Sequence, residues 1–170
     1  MIRTAAVLLA TLSMTPSVIG VAAVTPTQVA PADGWRTFAG SWSASGQRQT
    51  IPTEGGRMAG IVHLSGAIVL AQGDLGGGLL GEAIAFDDGQ TLSVGRAVWT
   101  GGRGDLVFSE FRGEPVATGR RIVGTITGGT GRYTGVVGDY ELTWQYVARD
   151  DDVVQGRAVD LRGRVRKVAP

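Results

Sequence analysis

The sequence has no cysteine. That excludes a disulfide framework, a thiolate nucleophile and a lipoprotein attachment site. It has a single histidine, His63, so a zinc or copper site lacks its usual ligands, and no cofactor is expected. Charged residues make up 18% of the chain, below the ~25% usual for soluble domains. Neither sign dominates: 16 Lys and Arg stand against 15 Asp and Glu, for a formal net charge of +1. A nucleic-acid surface needs an excess of basic charge, so that class of partner is excluded. Beyond the N-terminal segment, no stretch repeats apolar residues at helical spacing.

Glycine is abundant instead, at 28 of 170 residues. Together with many Val and Thr, it favours an all-β class and a single domain. The N-terminus reads as a targeting segment. Arg3 is the only charge before Asp33, and the apolar run Ala5–Leu12 follows it. Val21-Ala22-Ala23 offers the small residues that a signal peptidase reads, so residues 1–23 are expected to be a cleaved signal peptide. Cleavage would leave 15 basic against 15 acidic residues. The alternative is an uncleaved anchor, because Thr4–Val24 approaches the ~20 residues of a membrane span. Thr11, Ser13, Thr15, Pro16 and Ser17 interrupt it, which favours cleavage. A secreted or periplasmic protein without an integral span is therefore expected. Residues 24–34, with Pro26 and Pro31, read as an extended linker.

From Trp35, period-two runs alternate with turn clusters. Strands are expected near Arg36–Gln49, Met58–Ala71, Leu79–Phe86, Thr91–Thr100, Leu106–Arg112, Arg120–Gly128, Gly138–Ala148 and Val153–Val168. The short connections between them imply antiparallel neighbours. Eight strands can close a small barrel, and closure removes exposed edges. Gly66, Gly95 and Gly124 fall inside strands, where they suit the bends of a tight barrel.

The chain is organised around a glycine-rich corner, Gly128-Gly129-Thr130-Gly131-Arg132-Tyr133-Thr134-Gly135. Its glycines allow positive φ and close backbone approach. Tyr133 sits inside the corner, placed to plug one end of a closed sheet while its hydroxyl reaches a partner. The strand that leaves the corner carries Tyr140, Leu142, Trp144 and Tyr146 at spacing two, on one face.

This corner, followed by Gly138-Asp139-Tyr140, resembles the allene oxide cyclase and dirigent-type β-barrel superfamily. Gly81–Gly89 and Leu92-Ser93-Val94-Gly95 are similar to that family's central hairpin. The resemblance covers roughly Leu79 to Tyr146. It implies an antiparallel eight-stranded closed barrel, calycin-like in class, and no reaction by itself. Plant allene oxide cyclases use a glutamate of the first strand, whereas Gly34–Thr53 contains no acidic residue here. Dirigent proteins line an open cavity with acids and an arginine, and Glu82, Arg96 and Glu110 are this chain's candidates for such parts. In this resemblance Gly128, Gly129, Thr130, Gly131, Tyr133 and Gly135 are structural.

Six residues are candidates for a ligand site: Trp42, Glu82, Arg96, Tyr140, Trp144 and Arg157. Gly40-Ser41-Trp42 resembles the start of lipocalin- and avidin-class barrels, where the Trp closes one end; the alternative is a core tryptophan. A three-residue connection at Asp87-Asp88-Gly89 would set Ile84 opposite Leu92, Glu82 opposite Val94 and Leu80 opposite Arg96. Leu80, Glu82, Ile84 and Phe86 would then face inward with Leu92, Val94, Arg96 and Val98. Glu82 and Arg96 would pair diagonally on that face, binding a ligand or simply each other. Arg157 shares a parity with Val153, Val159, Leu161 and Val165 and would lie over the aromatics of the neighbouring strand, while Arg162, Arg164 and Arg166 would face solvent. His63 is a weak candidate for a general base. Asp150-Asp151-Asp152 lacks the spacing of a calcium loop. Gly76-Gly77-Gly78 opens no helix and is no phosphate loop.

The function expected is binding of a small apolar molecule inside the barrel. One rival is a cofactor-free cyclase or isomerase that shapes a reactive substrate. Another is a non-catalytic scaffold with a filled barrel. A void of a few hundred Å³ would favour a ligand, a packed interior the scaffold, and polar groups converging inside the enzyme. A homo-oligomer is left open.

Overall fold

The structure is a computed structural model that describes residues 34–73, 75–150 and 152–169. The expected signal peptide, its cleavage site, nearly all of the linker and Asp151 lie outside the described residues. Eight antiparallel strands form a closed barrel in sequence order: β1 (Arg36–Thr53), β2 (Arg57–Gln72), β3 (Gly78–Asp87), β4 (Ser93–Gly101), β5 (Leu106–Val116), β6 (Gly119–Gly129), β7 (Val136–Arg149) and β8 (Val153–Lys167). β1 pairs with both β2 and β8, so the sheet has no free edge. Among the described residues, no helix is long and apolar enough to cross a membrane.

Alternation along each strand separates a lumen face from an outer face. The lumen holds Phe38, Ile68, Trp99, Val107, Ile126, Tyr140, Leu142, Trp144 and Leu161, all buried. Aromatic rings form its central column. Phe38 meets Trp99 edge-on at 6.0 Å between centroids, and Trp99 meets Tyr140 at 5.1 Å. Trp42 meets Trp144 at 5.2 Å, and Trp144 meets Tyr146 at 6.4 Å.

Rings of this size fit a narrow barrel only where facing positions are small. A Cβ at Gly124 would run into the Tyr140 ring, and one at Gly95 into the ring of Phe111. These strand glycines therefore make room for rings, a role beyond the bending expected of them.

The outer face of β7 and β8 is a lattice of ion pairs. Arg164 Nε donates to Asp139 at 2.9 Å, and Glu141 accepts from Arg121 Nη2 at 2.9 Å and from Arg162 Nε at 2.7 Å. Those two arginine hydrogen bonds, Arg121's first, hold the Glu141 carboxyl below the usual range. The guanidiniums of Arg164 and Arg166 lie over the Trp35 ring, 4.6 and 4.7 Å from its centroid.

Three expectations, two about facing and one about register, are overturned. Leu80, Glu82, Ile84 and Phe86 point outward, and Leu79, Gly81, Ala83 and Ala85 line the lumen side. Rings from β1, β4 and β7 occupy much of the lumen, so between Leu79 and Asp87 the inner face of β3 is glycine and alanine. The β3–β4 register also differs from the expected one: Ile84 pairs with Arg96, Glu82 with Val98 and Phe86 with Val94. The connection is the five residues 88–92. Asp88 Oδ1 organises it, accepting from the backbone N–H of Gln90 at 2.7 Å and of Leu92 at 3.0 Å. Finally, Arg157 faces outward. Asp160, with φ +53°, is the extra residue of a β-bulge that exchanges the two faces between Arg157 and Leu161.

Candidate functional site

The two ends of the lumen are built differently. β6 runs from Gly119 at one end to Gly129 at the other, where the corner begins. There a short 3-10 turn, Gly131–Tyr133, folds the Tyr133 ring into the barrel, where it is 3% exposed. Its hydroxyl donates to the Leu75 carbonyl at 2.5 Å. Arg132 stacks over the ring at 4.6 Å, and its Nη2 donates to the same carbonyl at 3.0 Å and to the Tyr133 hydroxyl. Leu75, Val136 and Val165 are buried in the same core cluster as Tyr133. Gly131 has φ +53°, and a Cβ there would collide with the Asp105 carboxylate. The corner thus closes one end of the barrel.

At the other end the lumen keeps a cavity of about 80 Å³. Its walls include Trp42, Phe111, Leu142, Trp144 and Tyr146. Trp42 Nε1 donates to the Gly66 carbonyl at 3.2 Å, which fixes the indole against Trp144. Deeper, the Tyr140 hydroxyl lies 3.2 Å from Ser109 Oγ, and both residues are buried. Burial pushes the Tyr140 hydroxyl up to about 12, against the opposing effect of the Ser109 hydrogen bond.

Two charged residues line this cavity, Asp87 and Arg120. Asp87 closes β3 and Arg120 opens β6, and the barrel's curvature brings them together across the mouth. Arg120 Nη2 donates to Asp87 Oδ2, and the two side chains are only 14% and 25% exposed. Asp87 Oδ1 accepts from the Gly89 backbone N–H at 2.9 Å. Arg120 Nη1 is buried without a hydrogen-bond partner. Buried donors are rarely left so, and one on a cation is costly.

Of the six candidates from sequence, Trp42, Tyr140 and Trp144 lie together in the lumen. Glu82, Arg96 and Arg157 lie outside it. Glu82 sits 4.0 Å from His63 Nε2, and Arg96 Nη2 lies 3.3 Å from Glu110. Arg157 Nη2 donates to Gln145 Oε1 at 3.3 Å instead of covering an aromatic face. The Glu82–Arg96 pair is thereby corrected: each side chain takes another partner on the solvent face.

Asp87 and Arg120 were missed. Asp87 read as a turn residue, and Arg120 as the polar start of a strand. The signal available was parity, because Arg120 alternates with Ile122, Gly124 and Ile126. Neighbouring Val123 makes the opposite face look apolar too, so parity alone does not choose.

Comparison of the chain with protein-family models, curated proteins and solved structures gave no match.

Proposed function

We propose that the protein is an exported barrel that binds a small, largely apolar molecule at the open end of its lumen. The asymmetry of the lumen carries this reading: one end is plugged by Tyr133, and the other keeps an aromatic-walled cavity. About 80 Å³ is roughly half the ~150 Å³ of a dry cavity that takes up benzene. It is also well below the ~300 Å³ at which drug-sized sites begin. The ligand is therefore small, with a body in the cavity no larger than benzene and any longer part leaving through the mouth. The glycine corner and the sequential order of eight strands support kinship with the allene oxide cyclase and dirigent-like barrels. The cyclase alternative would draw on Asp87 and Arg120, the charged residues that line the cavity.

The void falls short of the few hundred Å³ expected of a ligand site, and with the packed half of the lumen this favours a second reading, a filled scaffold. Native mass spectrometry of protein from its own host separates the two. A retained small molecule, released on denaturation, is expected. A bare chain mass at every collision energy would favour the scaffold. N-terminal sequencing of the same preparation, taken from outside the cytoplasm, should begin near Val24. A full-length chain recovered from the cytosol would end the export reading.

A further inference from the structure

We infer that the lumen ligand carries an uncharged oxygen acceptor, a carbonyl, that binds Arg120 Nη1. This rests on the reading of the lumen as a ligand site and adds the chemistry of the ligand.

The guanidinium has two forks of different status. One is spent on Asp87, whose second oxygen is spent on the Gly89 N–H. The other, at Nη1, is buried without a partner in a residue that lines the cavity. An acceptor arriving beside Trp42 and Trp144 lies against the wall that Arg120 shares with Asp87 and the buried Ser93, and it reaches Nη1 when the guanidinium edge turns toward the cavity. Asp87 already balances the charge of Arg120. A carboxylate would add a second negative charge next to Asp87, where little water can screen it. A neutral carbonyl satisfies Nη1 and leaves the ion pair intact. A site that hydrogen-bonds its ligand also rejects the analogue that lacks the acceptor, because the donor is then left unpaired.

Three probes of similar size test this on the full-length protein: cyclopentanone, methylenecyclopentane and cyclobutanecarboxylate. The first two differ only in replacing the carbonyl oxygen with a methylene. Affinities come from titrations followed by the indole N–H signals of Trp42 and Trp144 and the side-chain N–H signals of Arg120. Cyclopentanone is expected to bind about tenfold or more tighter than methylenecyclopentane and to move the Arg120 signals, with the carboxylate weaker than the ketone. In the double variant Asp87→Asn with Arg120→Met, the ketone's preference should fall to near unity while both neutral probes still bind. If that variant fails to fold, the wild-type comparison decides alone. Equal affinity of the two neutral probes, with both tryptophans shifted, would overturn the carbonyl inference and leave the lumen site standing; a bound water would then serve Nη1. Tighter binding of the carboxylate would overturn the neutral acceptor. No binding by any probe would overturn both this inference and the lumen reading beneath it.

Discussion

Tyr140 shows what the lumen does to a single polar group. Its hydroxyl lies among apolar walls with Ser109 as partner. An ordinary tyrosine ionises near 10; here burial lifts the value to about 12. The folded state therefore holds this proton more tightly than the unfolded chain does. The resulting stability is fully present below pH 10 and is lost as pH rises from 10 to 12. It amounts to about 3 kcal/mol. Urea denaturation at stepped pH should show that loss for the wild type. Tyr140→Phe should flatten the dependence, and an unchanged slope in the variant would refute the assignment. Gly131 makes a backbone argument at the same scale. With φ +53° and the Asp105 carboxylate where its Cβ would stand, Gly131→Val should destabilise by about 1–3 kcal/mol. An unchanged melting temperature would mean that the corner rearranges freely.

At the scale of the element, β3 and β4 show how a hairpin with a plausible sequence pattern can face the unexpected way. Near the turn, Ile84, Phe86 and Val94 sit on the solvent side, while Ala83, Ala85 and Ala97 sit inside. Glu82 and Arg96 go outward with their strands. Arg96 is 78% exposed and Glu110, its partner, 52%. Exposed pairs of this kind contribute little. Glu82→Gln and Arg96→Met should each shift stability by less than about 0.5 kcal/mol and add without coupling. A strong coupling in the double-mutant cycle would contradict the outward placement. The bulge at Asp160 is the second lesson of this scale. One residue in left-handed backbone lets β8 present Val154, Gly156 and Ala158 to the lumen, then Leu161 and Val165, without breaking the ladder to β7.

Across the whole molecule, closure ties these local features to the site. Sequential antiparallel pairing places every second turn at the same end of the barrel. The β3–β4 and β5–β6 turns therefore share an end, and Asp87 and Arg120 flank those turns. The glycine corner falls at the opposite end, with the β2–β3 loop that supplies Leu75. One end is stoppered by a tyrosine held through two donors to one carbonyl, and the other presents an ion pair with a spare donor. That polarity of the barrel, more than any single residue, locates the candidate site.

The sequence by itself determined the class of fold, the number and order of strands, and most of their limits. These follow from period-two alternation and from glycine- and aspartate-rich turns, which are local signals. β5 running on through Pro115 to Val116 is a small exception, since that cluster read as a break. Tyr133 was legible as a plug because its glycines surround it in sequence. Only the tertiary structure decided which face of β3, β4 and β8 meets the lumen. Hydropathy reports how apolar a side chain is, whereas a narrow barrel selects by volume: rings from β1, β4 and β7 claim the interior, and glycine and alanine must face them. The Asp87–Arg120 pair was beyond the sequence for a related reason. Its members are 33 residues apart, each unremarkable in its own turn, and they meet only because the sheet closes on itself.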